Sequence, residues 1–220
     1  MKKFVVLAGS ALALSLTASA QAAPSGWYVG IAAGLNSLDD TENHVSVGGG
    51  FSASGEKVSF DNGYAVLVTT GYAWSHIRLE LEGGYRSNDG SVDLGIIHNI
   101  ASADVTQWSG MVNVYYDMAL VPQWTLSLGA GLGLDSVEMN APWFINGSGT
   151  QSDSGVAEQV MVQLAYDVSD CMQVYADYRY VNGGDADFEN QFGLVTETNR
   201  FEIENNSLTI GIRWDLEASK

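Results

Sequence analysis

Eight segments of this chain alternate apolar and polar residues with a period of two, and the stretches joining them alternate as regularly between short and long. Successive side chains of a strand point to opposite faces, so a period of two is a strand signal. The segments are 26–35, 62–74, 77–86, 105–118, 124–134, 159–168, 172–180 and 206–216. Short joints fall near Ser75, at 119–123 and near Ser169-Asp170, while the long ones are 36–61, 87–104, 135–158 and 181–205. Strands joined by tight turns pair antiparallel, and a water-soluble meander has no reason to place every long joint at one end.

Which face is apolar decides what surrounds the sheet. In segment 124–134, Trp124, Leu126, Leu128, Ala130, Leu132 and Leu134 share one face, and Thr125, Ser127, Gly129, Gly131 and Gly133 the other. In segment 77–86, Ile77, Leu79, Leu81, Gly83 and Tyr85 oppose Arg78, Glu80, Glu82, Gly84 and Arg86. Segments 159–168 and 206–216 repeat the pattern. Glycine and charge cannot build the core of a soluble barrel, so the apolar face must meet lipid and the polar face must line the inside. The expected fold is all-β: an eight-stranded antiparallel up-and-down transmembrane β-barrel. Each segment is close to the 9–11 residues that a tilted strand needs to cross a bilayer, as the general rule gives it in about those numbers.

The N-terminus reads as a secretory leader. Lys2 and Lys3 form a positive start, residues 4–16 are apolar, and Ala20-Gln21-Ala22 offers small residues for cleavage before Ala23. The apolar stretch is too short to span a membrane as a helix, and no Cys follows it to mark a lipoprotein. The expected organisation is a leader at 1–22 and one barrel domain at 23–220.

Aromatic residues fall at two levels. With a periplasmic N-terminus, Trp27, Tyr72, Trp74, Tyr116, Trp124, Tyr166 and Trp214 lie at the periplasmic strand ends, and Tyr64, Tyr85, Trp108 and Tyr180 near the outer ends. Two such belts mark the two interfaces of a bilayer. The chain holds 26 acids against 9 bases, for a net charge of −17, and 18 of the acids sit in the four long joints beside only Lys57 and Arg200. This excludes nucleic acid as an electrostatic partner and predicts four solvated, mobile acidic loops on the outside.

Several stretches resemble the opacity-like and surface-antigen outer-membrane barrels. They are Gly26-Trp27-Tyr28-Val29-Gly30, Val112-Asn113-Val114-Tyr115-Tyr116-Asp117, Leu128-Gly129-Ala130-Gly131-Leu132-Gly133 and Asp177-Tyr178-Arg179-Tyr180. Thr209, Gly211, Ile212, Trp214 and Leu216 match the polar, glycine, apolar and aromatic positions of the C-terminal signal read by the barrel assembly machinery. The resemblance implies an outer-membrane location with both termini periplasmic, contact with lipid and lipopolysaccharide, and handling by that machinery during insertion. It implies no single biochemistry, because the family includes adhesins, immune-evasion proteins and anchors.

Inside an eight-stranded barrel there is room for little beyond side chains, so inward charges must pair. Arg78, Glu80, Glu82, Asp117, Asp177, Arg179 and Arg213 form the expected lumen network. Strand heights suggest Arg78 with Asp117, Arg213 with Asp167 or Asp215, and Glu80 or Glu82 with Arg179 from the opposite wall. Such a network either plugs the lumen or lines a narrow path. In the third long joint, Trp143, Phe144 and Ile145 form an apolar patch that suits a host or surface protein ligand, the outer leaflet or the barrel mouth.

Other chemistry is thin. His44-Val45-Ser46 has a catalytic-looking spacing but no carboxylate tied to it, and His76 and His98 lie elsewhere. Asp39, Asp40 and Glu42, and Asp185, Asp187 and Glu189, offer oxygen ligands without a complete calcium-loop pattern. Cys171 is a lone thiol. No cofactor or metal is expected. The reading is a non-enzymatic surface protein (antigen, adhesin or envelope-stabilising element), with a small solute conduit as the alternative.

Overall fold

A computed structural model describes residues 25–38, 41–47, 51–60, 62–93, 100–140, 150–192 and 195–217. In chain order the strands are β1 (Gly26–Leu38), β2 (Thr41–Val47), β3 (Phe51–Phe60), β4 (Gly63–Trp74), β5 (Ile77–Asp93), β6 (Ile100–Val121), β7 (Trp124–Asn140), β8 (Thr150–Ser169), β9 (Met172–Phe192) and β10 (Val195–Asp215). Eight of them, β1, β4, β5, β6, β7, β8, β9 and β10, close into an antiparallel ring. Closure is the pairing of β1 with β10, in register from Tyr28 opposite Asp215 to Leu38 opposite Asn205.

The hairpin of β2 and β3 lies outside this ring. It pairs with β10 from His44 opposite Arg200 to Val47 opposite Glu197, and with β5 from Val58 opposite Val92 to Phe60 opposite Gly90. Strands β1 and β4 are short, and the hairpin continues the wall beyond them.

The four long joints were expected as loops, and the structure corrects this. Strand β5 runs on to Asp93, β7 to Asn140 and β9 to Phe192, while β6, β8 and β10 begin at Ile100, Thr150 and Val195. Two of their ladders stay in register through Asp89 opposite Asp104 and Ser136 opposite Ser154, and the third shifts register between Glu204 and Glu202 before continuing to Asp187 opposite Arg200. The 22 residues of β6 span about 70 Å at roughly 3.3 Å per residue, far more than the lipid band requires. Apolar alternation is a signature of lipid and stops where lipid stops. Backbone hydrogen bonding carries the strands further without it.

At the other end the connections are tight. Strands β4 and β5 are joined by Ser75-His76, β6 and β7 by Pro122-Gln123, and β8 and β9 by Asp170-Cys171. Ser75 takes the left-handed conformation, with φ of 53°, as two-residue hairpin turns demand. The turns are tied to the next wall: His76, Gln123 and Cys171 carbonyls accept from the backbone N–H of Asp117, Asp167 and Asp215.

Burial alternates along every wall. The outward face holds Ile31, Val68, Leu81, Val112, Leu132, Val160 and Ile210, all exposed. Rings border this band on both sides. Trp27 meets Tyr72 at 5.3 Å and Tyr72 meets Trp74 at 4.6 Å on the turn side, joined further round by Trp124 and Tyr166 at 5.0 Å. On the other side Tyr64, Tyr85 and Trp108 form a ladder across β4, β5 and β6, with centroids 6.0 and 4.7 Å apart. Eight residues of β6 separate Trp108 from Tyr116, so the borders stand about 20 Å apart at a tilt near 40°.

The inward glycines have a packing reason. Three lumen tyrosines lie flat over the glycine directly opposite on the neighbouring strand: Tyr28 over Gly71, Tyr115 over Gly129 and Tyr175 over Gly211. A Cβ at Gly211 would stand 2.3 Å from Cζ of Tyr175, and one at Gly129 would stand 2.6 Å from the Tyr115 ring. The glycines leave the wall thin where the lumen is filled by rings, the same rescue of glycine by an aromatic neighbour that barrel design relies on.

Candidate functional site: the polar lumen

The alternation that sends leucine and valine to lipid sends arginine, carboxylate and amide side chains inward, where they stack in levels. At the turn end Arg78 of β5 donates through Nε to Asp117 Oδ2 at 2.7 Å and through Nη2 to Gln163 Oε1 at 3.0 Å. Its guanidinium lies 4.4 Å from the centroid of Tyr115, and Arg213 sits over Tyr28 and Tyr175 at 5.0 and 5.3 Å. Gln163 Oε1 accepts from Arg213 as well, and Arg213 donates to Gln173 Oε1 at 2.8 Å. Two cations are thus packed between rings and amides, an arrangement that offsets part of their desolvation cost.

One level outward, Glu80 accepts from the Tyr28 hydroxyl at 3.0 Å and from Asn113 Nδ2 at 3.3 Å, with Arg78 Nη1 3.8 Å away. Next comes the only bridge across the barrel's full width among the described residues. Arg179 of β9 donates from Nη1 to Glu82 Oε1 and Oε2 of β5 at 2.6 and 2.7 Å. Its Nε and Nη2 both reach Asp177 Oδ2 at 2.8 Å. Asn113 and Gln159 close round Glu82, and Gln159 Nε2 donates to Asn113 Oδ1 at 2.7 Å. Strands β5 and β9 are diametrically opposed in the ring. All these side chains are buried.

Farther out, Asn36 of β1 gathers Asn88 of β5, Asn205 of β10 and Ser207 of β10 through bonds of 2.7, 2.9 and 2.6 Å. Around the ring at this end Leu38, Val105, Val137, Val181 and Ile203 are buried as an apolar layer. Arg86, Gln107 and Asp135 are buried at this depth. Arg86 makes one hydrogen bond, to Ser109 Oγ at 2.9 Å.

The geometry places Arg78 with Asp117, and Glu82 with Arg179, as strand height suggested. Arg213 is placed differently: it bonds Gln163 and Gln173, and Gln173 Nε2 rather than Arg213 reaches Asp167 Oδ1, at 2.6 Å. Sequence reading did not assign Tyr28, Tyr115, Tyr175 or Asn36 to the lumen, although their position in the alternation was the available signal. Asp135, assigned to a loop, is a lumen residue of β7.

Gly211, Ile212, Trp214 and Leu216 lie on or just after β10, with Gly211 inward and Trp214 and Leu216 exposed. Leu216 N–H donates to the Trp27 carbonyl at 2.8 Å. Trp143, Phe144, Ile145 and His98 lie outside the described residues, as does the leader. His44, Glu42, Asp185, Asp187 and Glu189 are described only as strand positions. Cys171 is exposed in its turn.

A closed ring of antiparallel strands with a lipid-facing band, two aromatic borders and a polar inside is an outer-membrane β-barrel. The chain belongs to the outer membrane protein beta-barrel domain family, which it matches over residues 5–215. It resides in the bacterial outer membrane. Solved structures share the fold at low identity. Neisserial surface protein A is 19% identical, covering 87% of this chain and 98% of its own, with a TM-score of 0.54. Outer membrane protein OprG from Pseudomonas aeruginosa is 13% identical, with coverages of 87% and 97% and a TM-score of 0.56. Outer membrane protein AlkL, solved in lipid bilayers, is 16% identical, with coverages of 92% and 97% and a TM-score of 0.54. No sequence among the curated proteins matches this chain.

Proposed function

We propose that this chain is a non-enzymatic surface protein of the outer membrane, an antigen, adhesin or envelope-stabilising element whose working parts are its long outer strands. The Arg179–Glu82 bridge carries the reading. It spans the lumen between opposed walls, is buried, and is braced by Asp177, Asn113 and Gln159. Eight strands leave an interior that such side chains fill. The lumen carboxylates Glu80, Glu82 and Asp177 are held by lumen partners away from both surfaces, which supports a structural use over a catalytic one. In this reading 1–22 is removed as a leader, 23–220 is the working domain, and both termini face the periplasm. Lipopolysaccharide and the barrel assembly machinery are its envelope partners, the latter through Gly211, Ile212, Trp214 and Leu216. A host or surface protein is the partner this reading gives to Trp143, Phe144 and Ile145 of the third long joint.

The test is single-channel recording of the refolded barrel in a planar bilayer beside Arg179→Ala. A silent native protein supports the reading. Steady conductance from the native protein, altered by Arg179→Ala, would replace it with a small solute conduit.

A further inference from the structure

Among the buried side chains that depart from the rule that buried polar groups are bonded, three are neighbours near the outer end of the lumen. Arg86 Nε and Nη2, both oxygens of Asp135, and both polar atoms of Gln107 have no hydrogen-bond partner among the described residues. Their exposures are 0%, 3% and 2%. An unmet buried polar group destabilises the fold, and more so when it is charged. Three neighbours left this way together point to a function for the place.

They sit on one patch of wall. Arg86 of β5 is in register with Gln107 of β6, and Ser109 of β6 with Asp135 of β7. Ser109 Oγ takes the single Arg86 hydrogen bond, and the guanidinium and the Asp135 carboxylate form no ion pair. Nε and Nη2 are the side-on fork of a guanidinium, the edge that receives two oxygens of one oxyanion. On two other lumen arginines this edge is taken: Arg78 Nε holds Asp117, and Arg179 Nε and Nη2 hold Asp177. Beyond Asp135 the wall carries glycine. Gly155 is its register partner on β8, and a Cβ there would meet only the Gly183 carbonyl, at 3.5 Å. A Cβ at Gly183 of β9 would stand 3.2 Å from Asp135 Oδ2.

We propose that Arg86, Gln107 and Asp135 form a binding site for a small zwitterion, a solute carrying one carboxylate and one ammonium. The carboxylate takes the Arg86 fork, the ammonium takes the Asp135 oxygens, and the Gln107 amide supplies a donor to one and an acceptor to the other. A plain anion would lie against Asp135 and a plain cation against Arg86, so each is disfavoured by the opposite half of the site. The site lies outward of the Arg179–Glu82 bridge, and it requires no passage through it. Binding and conduction are therefore separate questions.

The test titrates glycine, acetate and methylammonium into isotope-labelled refolded barrel and follows the side-chain resonances of Arg86 and Gln107. Glycine should bind at least tenfold tighter than either single-charge probe, and Arg86→Gln or Asp135→Asn should each remove about tenfold or more of that affinity. Gln107→Met keeps both charges and reads the same loss, in smaller degree, should a charge variant fail to refold. Acetate binding as tightly as glycine, no glycine-dependent shift, or glycine affinity indifferent to all three substitutions would overturn the proposal and leave the three side chains to bridging water.

Discussion

Arg179 lays one terminal nitrogen across both carboxylate oxygens of Glu82, at 2.6 and 2.7 Å, from the wall diametrically opposite. Removing one member of such a pair strands the other in the lumen. Arg179→Ala and Glu82→Gln should each cost about 3–5 kcal/mol, while Arg179→Met with Glu82→Leu should lie much closer to the native value. Denaturant unfolding of the barrel in lipid measures this. Single variants within 1 kcal/mol of native, on the order of a surface pair, would mean the bridge is solvated.

The tyrosine–glycine pairs predict a steric cost with a specific cure. Gly211→Val should lower stability by about 1–3 kcal/mol, because its side chain needs the space of the Tyr175 ring. Adding Tyr175→Ala should return part of that loss. The unfolding midpoints of the single and double variants decide it, and a double variant no better than Gly211→Val alone would show the strain lies elsewhere.

The lipid band predicts a depth dependence. Val112 is exposed halfway between Trp108 and Tyr116, while Val156 faces outward near the level of the outer ring ladder, opposite Leu134. Val112→Arg should cost about 2–4 kcal/mol and Val156→Arg about 0–1 kcal/mol. Equal costs for the two would put the bilayer at a different height on the wall.

Orientation can be read from Cys171, exposed in the turn between β8 and β9. A membrane-impermeant maleimide should leave whole cells unlabelled and label them once the outer membrane is opened. Labelling of intact cells would invert the barrel.

Much of this architecture is legible in the sequence wherever lipid imposes it. Leu126, Leu128, Leu132 and Leu134 give away β7 because each must face hydrocarbon, and Trp108 and Tyr116 give away the two interfaces. Outside the bilayer that constraint disappears. Asp135 looks like loop because it opens a polar stretch, yet it continues β7 into the lumen. The tyrosines were hidden for another reason: Tyr28, Tyr115 and Tyr175 look suited to lipid, and their inward turn depends on a glycine in the opposite strand. Arg86 and Asp135 were each visible as charged residues, but the unmet Nε and Nη2 of one beside the unmet oxygens of the other are a three-dimensional fact.

The pairing of β1 with β10 has a consequence for assembly. Each strand finds its last neighbour at the far end of the chain, so every shorter piece carries two raw edges that would template aggregation. The lumen ladder is equally late: Arg179 is made long after Glu82, which until then is a bare charge on an unfinished wall. Contacts of this range make folding slow. The chain therefore has to be kept extended until synthesis is complete, and the zipping of Tyr28 to Asp215 is the step at which a vulnerable polymer becomes an object without ends.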